Sequence, residues 1–305
     1  MTTSAANSAV PHSAVPNSAV PHSAVPHSAV PHSAVPSYPL NNGTDIPQLG
    51  FGVFKVDPDK TSRIVTDALE VGYRHLDTAA IYRNEEGVGH AIAESGIPRE
   101  ELFITTKLWN TDQNSAAPAF EKSLARLKLD YVDLYLIHWP TPAKGTFVDA
   151  WKSLEAITAT GRAKAIGVSN FMIPHLETLL AETSIVPAVN QIELHVDLQQ
   201  TELRAFHQAH GIATEAWGPL GQGRINSSTE LLAIAEVHGK TVPQVIIRWH
   251  LQLGTIVIPK SNNRDRMAEN FDVFDFELTD AELRAIAGLD QGEAGRGGSH
   301  PLAVN

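Results

Sequence analysis

Four polar residues of different types each follow a short apolar run of the sequence. They are Asp77, Tyr82, Lys107 and His138. An ammonium group beside a tyrosine favours the phenolate, and a carboxylate in turn holds the ammonium. A neutral imidazole can orient a carbonyl oxygen by a hydrogen bond while a phenol supplies a proton to the developing alkoxide. The set therefore suits carbonyl reduction, in which a cofactor must bring the hydride because no side chain can carry one.

Two other functions remain open for the same residues. A lysine at a strand end, here Lys107, also forms the Schiff base of class I aldolases. A non-catalytic nicotinamide-binding or regulatory subunit is the second alternative, although such a module has no need of Tyr82. A metal hydrolase is disfavoured, because His138 has no second histidine or carboxylate at a ligand-like spacing on its strand. No metal site is predicted.

The elements that must position these residues alternate between strand and helix. Strands are predicted at 49–52, 73–76, 102–105, 132–137, 164–168, 188–192, 212–216 and 255–258. Helices are predicted at 59–71, 85–95, 115–128, 147–160, 172–182, 199–210, 229–253 with a break at Pro243, and 264–270. Alternating units predict a parallel sheet, and eight of them predict an α/β fold of the (β/α)₈ TIM barrel type. The turn residues at 41–44 predict a β-hairpin plug before the barrel, with extra helices and loops at its C-terminal rim.

Barrel topology explains why the four polar residues belong together. Catalytic groups of such barrels lie at the C-terminal ends of the strands, which meet at one rim. Trp109, Trp139 and Trp217 are predicted at the same rim, as walls for an organic ligand or a stacking face for a flat ring. A doubly wound dinucleotide fold is disfavoured, because the glycine pairs at 50–52 and 87–89 lack the third glycine of its phosphate-binding turn.

Composition and charge narrow the class of protein. The chain has 305 residues, of which 43% are hydrophobic and 19% charged, as in an ordinary enzyme-sized globular protein. Its formal net charge of −11 disfavours nucleic acid and anionic membranes as partners. The chain contains no cysteine, which excludes disulfides and thiolate metal sites.

The N-terminal 37 residues differ from the remainder. Positions 7–36 repeat the pentapeptide (H/N)SAVP, and residues 1–37 carry no charged side chain. A proline at every fifth position blocks helix formation, so 1–37 is predicted to be a disordered low-complexity tail and 38–305 the barrel domain. Neither a secretory signal nor a membrane-spanning run is recognised, and a cytoplasmic location is expected. The glycine-rich segment 292–300 is predicted to be mobile.

Several motifs of the chain resemble those of the aldo-keto reductase superfamily, from about Leu40 to the C-terminus. They are GYRHLDTA at 72–79 followed by Tyr82, ITTKLW at 104–109, LIHWP at 136–140, IGVSNF at 166–171, and PKS at 259–261 with Arg266, Glu269 and Asn270. The segments QLGFGVFKV at 48–56 and EAWGPLGQG at 215–223 are similar to the bacterial 2,5-diketo-D-gluconic acid reductase branch.

The resemblance implies a monomeric reductase that uses NADPH, bound in extended form without a Rossmann fold, to reduce a small aldehyde, dicarbonyl or keto-sugar acid such as 2,5-diketo-D-gluconate. Tyr82 would be the proton donor, Lys107 and Asp77 its tuning pair, and His138 the orienting group. The implied cofactor contacts are Ser169, Asn170, Gln191, Trp217, Gly218, Leu220, Lys260, Ser261, Arg266, Glu269 and Asn270. The implied substrate contacts are Phe54, Trp109, His138 and Trp139. From the residues alone, the cations of 259–270 also suit a phosphate in this otherwise acidic chain.

Overall fold

The computed structural model describes residues 1–2 and 35–304. The predicted disorder of the tail falls largely on residues 3–34, which lie outside the described part of the chain. At the end of the tail, the carbonyl of Pro36 accepts a 2.8 Å hydrogen bond from the backbone N–H of Gln48. Ser37, the last residue of the predicted tail, already belongs to the first strand.

Ten strands and ten helices make up the described fold. The strands are β1 (Ser37–Pro39), β2 (Asp45–Pro47), β3 (Phe51–Gly52), β4 (His75–Asp77), β5 (Phe103–Leu108), β6 (Val132–Ile137), β7 (Ala163–Ser169), β8 (Val189–Glu193), β9 (Ala213–Trp217) and β10 (Ile256–Val257). The helices are α1 (Pro58–Val71), α2 (Glu85–Glu94), α3 (Ala116–Leu127), α4 (Phe147–Ala159), α5 (Ile173–Glu182), α6 (Thr201–Ala209), α7 (Thr229–His238), α8 (Val242–Gln252), α9 (Arg264–Phe271) and α10 (Asp280–Ala287).

Strands β3 to β10 form one parallel sheet in chain order. The two ends of the sheet are joined by hydrogen bonds from Gly50 N to Val257 O, 2.9 Å, and from Val257 N to Gln48 O, 2.8 Å. Because these bonds close the sheet on itself, the predicted (β/α)₈ barrel is confirmed.

The antiparallel pair β1 and β2 is the predicted hairpin plug. Its apolar residues Leu40 and Ile46 pack with Leu134, Val189 and other strand residues of the barrel interior. A larger apolar layer separates the sheet from the surrounding helices. This division leaves the opposite end of the barrel, where the strands finish, for polar side chains.

Two helices differ from the sequence prediction. The break predicted at Pro243 within 229–253 lies earlier, because Gly239 ends α7 in a left-handed conformation and Thr241 caps α8, which leaves Pro243 in the first turn of α8. Helix α10 was not predicted. Its signal was the capping box in which the side chains of Thr279 and Glu282 reciprocally bond the backbone of the first turn.

Candidate active site

A buried ion pair between strands β4 and β5 forms the base of the candidate site. Lys107 Nζ donates hydrogen bonds to Asp77 Oδ1, at 2.6 Å, and to the carbonyl of Thr78, at 2.9 Å. Both side chains are almost completely buried. Burial alone would lower the pKa of Lys107, but the charge and hydrogen bond of Asp77, together with Tyr82 and Glu215, outweigh burial and the pKa is raised. Lys107 therefore remains a cation with fixed partners.

Tyr82 reaches the ion pair through the loop that follows β4. Its 3₁₀ turn is held by Asn84, whose Oδ1 accepts from Thr78 Oγ1 at 3.0 Å and whose Nδ2 donates to Val53 O at 2.9 Å. Lys107 Nζ lies 5.3 Å from the centroid of the Tyr82 ring. Burial raises the pKa of Tyr82 to about 12, although the charge of Lys107 opposes the rise. The phenol thus keeps its proton at neutral pH beside a cation that stabilises its anion.

His138 follows β6 and brings an imidazole to the same place. Its ring centroid lies 5.6 Å from that of Tyr82, with the rings edge to face. Burial, followed by the charge of Lys107, lowers the pKa of His138 well below its ordinary value, so the ring is neutral. Its Nδ1 has no hydrogen-bond partner among the described residues. A neutral imidazole beside a phenol can orient a carbonyl oxygen.

The predicted substrate contacts place aromatic rings around Tyr82 and His138. The ring of Phe54, which is 54% exposed, lies 5.0 Å from Tyr82, and Trp109 lies 5.2 Å from His138. Trp139 lies 6.5 Å from His138 with nearly parallel rings. Gln113, which sequence reasoning missed, donates a 2.8 Å hydrogen bond to the carbonyl of Trp139 and holds that loop.

Asn170 links two other predicted cofactor contacts, Ser169 and Trp217, to His138. Its backbone is left-handed, with φ 63°. Its Nδ2 donates to His138 O at 3.0 Å and to Ser169 Oγ at 3.1 Å, and its Oδ1 accepts from Trp217 Nε1 at 2.8 Å. These bonds fix the half-buried Trp217 ring next to the His138 backbone.

Gln191 joins these residues to the ion pair. Its Nε2 donates to Asp77 Oδ2 at 2.8 Å and to Glu215 Oε2 at 3.0 Å. Glu215 was not predicted as a site residue. Its signal was a carboxyl group in the centre of the buried strand β9.

The glycine-rich C-terminal segment is anchored at the rim, contrary to the predicted mobility. Glu193 Oε1, at the end of β8, accepts from the backbone N–H groups of Gly297 and Gly298 at 2.8 and 3.0 Å. A Cβ at Gly298 would lie 2.5 Å from the Trp217 ring, and one at Gly295 would lie 1.8 Å from the carbonyl of Asp197. The glycines here allow close packing rather than flexibility. The predicted contacts Gly218 and Leu220 lie in the neighbouring loop after β9.

Replacing Gly295 by alanine is expected to release the C-terminal segment, because the new methyl group would overlap the Asp197 carbonyl. Arg296 is 8% exposed in the anchored segment, so trypsin should cleave after it readily only in the variant. Limited proteolysis with mass spectrometry measures the cleavage. Ser299→Ala, a change at a neighbouring exposed position, is the control. Equal cleavage of the wild type and Gly295→Ala would contradict the anchoring.

The remaining predicted cofactor residues lie at the start of α9 and on that helix. Ser261 Oγ bonds Asn263, and Asn263 Oδ1 caps the helix by accepting from Arg266 N at 2.9 Å. Arg264 is paired with Asp67 and Glu70. The exposed side chain of Arg266 forms no ion pair or hydrogen bond with any of the described residues.

Lys55 and Lys260 lie close enough together, near the start of α9, for the charge of one to act on the other. Burial, followed by the charge of Lys55, lowers the pKa of Lys260. Lys55, which sequence reasoning missed, follows β3 in a left-handed conformation, with φ 58°. Glu269 accepts from Thr241 Oγ1 at 2.7 Å, and Asn270 is buried. The predicted cofactor residues of this segment therefore lie on α9 and the loop before it: Lys260, Ser261, Arg266, Glu269 and Asn270. They belong to other elements than Asp77, Tyr82, Lys107 and His138.

Residues 1–2 and 35–304 contain neither a metal-site arrangement of side chains nor a membrane-spanning helix. No group of three or more histidine and acidic side chains there has the arrangement of a metal site. No helix in that part of the chain combines the length and apolar character needed to cross a membrane.

Comparisons with known proteins agree with the barrel and the motifs. A family model described as the aldo/keto reductase family matches residues 48–291. An aldo-keto reductase of Mycolicibacterium smegmatis is 55% identical over 268 residues, which cover 87% of this chain and 97% of the relative. A methylglyoxal reductase DkgA of Yersinia pestis is 52% identical over 256 residues, covering 83% and 92%. The crystal structure of a Gox0644 mutant in complex with NADPH has a TM-score of 0.85 and 47% identity, covering 89% and 99%.

Proposed function

The chain belongs to the aldo/keto reductase family, and we propose that it reduces a small carbonyl compound to the alcohol with NADPH and with Tyr82 as proton donor. The observation that carries the proposal is the convergence of Tyr82 and the neutral His138 on the buried Asp77–Lys107 pair. The oxidoreductase activity follows from the family. The individual roles below are argued from the side chains.

Four residues have separate roles in the proposed proton transfer. His138, whose imidazole is neutral, orients the substrate carbonyl oxygen by a hydrogen bond. Tyr82 donates its proton to that oxygen as negative charge develops. Lys107 stabilises the resulting phenolate, and Asp77 holds Lys107 in place. This arrangement stabilises a charge that exists only during the reaction, which is what accelerates a chemical step.

The residues present fit NADPH. Trp217 offers a half-buried flat ring, fixed by its bond to Asn170, next to polar groups suited to a carboxamide. Near the start of α9, the cations of Lys55 and Lys260 repel each other. Arg266 has no ion-pair partner among the described residues. An anionic phosphate would offset the repulsion and pair with Arg266. When bound, the coenzyme supplies the hydride. Ser169, Asn170, Gln191 and Trp217 would hold its nicotinamide, and Lys260, Ser261 and Arg266 its 2′-phosphate, with Glu269 and Asn270 at the adenine.

The substrate is proposed to be a small aldehyde, dicarbonyl or keto-sugar acid. Phe54, Trp109 and Trp139 place aromatic rings beside Tyr82 and His138, as suits a small organic molecule. Relatives named methylglyoxal reductase support the dicarbonyl class. Measuring the loss of reduced-nicotinamide absorbance with methylglyoxal, 2,5-diketo-D-gluconate and aryl aldehydes tests the proposal, with NADH in place of NADPH for comparison. Absence of turnover throughout the panel would contradict it.

Replacing Arg266 by alanine is expected to weaken NADPH binding roughly 10–100-fold, the effect of losing a charge-assisted hydrogen bond. NADH binding should change little, because NADH lacks the 2′-phosphate. Titration of each coenzyme against tryptophan fluorescence measures both affinities. Arg264→Ala is the matched control, since Arg264 is already paired with Asp67 and Glu70. Equal weakening of NADPH and NADH would show that Arg266 does not meet the phosphate.

The two alternative functions receive less support. A Schiff-base lysine needs a neutral amine, whereas the pKa of Lys107 is raised and its ammonium is bonded to Asp77. A binding subunit has no use for Tyr82 beside His138. A monomeric state and a cytoplasmic location stay predictions, which size-exclusion chromatography and cell fractionation would test.

A further inference from the structure

Glu215 carries a buried carboxyl group that has no role in the proposed mechanism. It lies on β9 and is fully buried. The groups that face it are His75 and Asp77 from β4, Lys107 from β5 and Gln191 from β8. Its neighbour on β10, Ile256, is apolar. A carboxyl group in such a place is costly unless it is bonded or keeps its proton.

Asp77 and Glu215 together determine which way the Gln191 amide points. The two N–H groups of Gln191 Nε2 are used by Asp77 Oδ2, at 2.8 Å, and Glu215 Oε2, at 3.0 Å. The reversed amide would bring its oxygen against two carboxyl oxygens, which is repulsive. Among the described residues, none donates a hydrogen bond to Gln191 Oε1. The end of the amide that remains available to a ligand is therefore an acceptor.

The second oxygen of Glu215 faces His75. His75 Nδ1 lies 3.3 Å from the carbonyl of Pro47, which can only accept, so Nδ1 carries the proton and Nε2 is an acceptor, which also lies 3.3 Å from Thr105 Oγ1. Burial lowers the pKa of His75 to about 3, and the ring is neutral. Glu215 Oε1 lies 3.6 Å from His75 Nε2 and has no hydrogen bond within the described part of the chain.

The protonation of Glu215 agrees with this geometry. Burial, followed by the charge of Asp77, raises the pKa of Glu215 to about 8, although Gln191 and Lys107 oppose the rise. The raised pKa favours the uncharged acid of Glu215, whose Oε1, the oxygen without a hydrogen bond, faces His75 Nε2. In that form Oε2 accepts from Gln191, and Asp77 is the anionic partner of Lys107.

We propose that Glu215 is a positioning residue of the coenzyme site, which fixes the Gln191 amide so that its oxygen is presented to the nicotinamide carboxamide. The assignment rests on the proposed function, because it assumes that Gln191 meets the nicotinamide. Without Glu215, one N–H of Gln191 is buried without an acceptor, and Asp77 alone holds the amide.

The test replaces Glu215 by leucine, which has a similar volume and no acceptor. NADPH is expected to bind about tenfold more weakly, as for one lost hydrogen bond in a buried site. Adenosine 2′,5′-bisphosphate, which has no nicotinamide, should bind as it does to the wild type. Isothermal titration of both ligands measures the two dissociation constants without any turnover.

Glu215→Gln is the conservative variant and should bind NADPH like the wild type. Its amide oxygen can accept from Gln191, and its N–H can face His75 Nε2, as the neutral acid does. Glu85→Gln is the matched control, since Glu85 is a buried carboxylate outside the site that accepts a 2.6 Å hydrogen bond from Arg126. That control should lose stability and leave both ligand affinities unchanged. If Glu215→Leu does not fold, Glu215→Thr, whose side chain is too short to reach Gln191, takes its place.

The outcomes separate this assignment from the proposed function. Selective loss of NADPH affinity in Glu215→Leu, restored in Glu215→Gln, supports the positioning role. Unchanged NADPH affinity in Glu215→Leu, or equal losses for NADPH and adenosine 2′,5′-bisphosphate, overturns it. Failure of the wild type to bind NADPH overturns the proposed function, and this assignment with it.

Discussion

Replacing Tyr82 by phenylalanine is expected to lower turnover by about 10²–10⁴-fold, the usual contribution of a positioned general acid. The phenylalanine ring keeps the edge-to-face contact with His138 and loses only the hydroxyl group. NADPH affinity should therefore remain close to that of the wild type. Steady-state rates with a reducible aldehyde and a coenzyme titration measure the two quantities separately.

Tyr135→Phe is the control for this change. The Tyr135 hydroxyl is buried and has no hydrogen-bond partner among the described residues, and its ring packs on Phe120 in the layer outside the sheet. Removing that hydroxyl should leave turnover unchanged. Near-normal turnover in Tyr82→Phe would disprove the proton-donor role, whereas a parallel fall in NADPH affinity would indicate a binding role instead.

The four residues around Tyr82 could be predicted from the sequence because barrel topology is strongly constrained. Once eight alternating units are recognised, every strand end must lie on one rim. Asp77 and Lys107 belong to neighbouring strands, and the alternation of side chains along each strand places both inside. Their pairing is thus a consequence of local patterns that can be read along the chain.

The interior partners of these residues could not be predicted in the same way. Gln191 bonds Asp77 across 114 positions of the sequence, and that contact depends on the tilt and stagger of strands within the closed barrel. The sequence shows Glu215 only as a polar residue within a predicted strand. Nothing in the neighbouring sequence indicates that Glu215 accepts a hydrogen bond from the Gln191 amide. The C-terminal glycines were interpreted by composition as mobile, whereas their close packing depends on the distant carbonyl of Asp197.

The ion pair of Asp77 and Lys107 gives the second large effect. Lys107→Met preserves most of the side-chain volume and leaves the carboxylate of Asp77 inside the barrel without its cation. Removing one partner of a buried pair costs about 3–5 kcal/mol of unfolding free energy. Turnover should also fall, because Lys107 opposes the rise in the pKa of Tyr82 that burial causes. Urea unfolding followed by tryptophan fluorescence, together with steady-state rates, measures both effects.

Two comparisons show whether burial is the cause of the loss. Arg162→Met breaks an exposed pair with Glu121, whose side chains are 41% and 56% exposed, and should cost less than about 1 kcal/mol. Adding Asp77→Asn to Lys107→Met should restore part of the stability, because it removes the unpaired charge, but none of the turnover, because Tyr82 still lacks its cation. A Lys107→Met loss no larger than that of Arg162→Met would mean that Asp77 is solvated or neutral without Lys107. In that case the pair would not be the fixed charge on which the proton donation by Tyr82 depends.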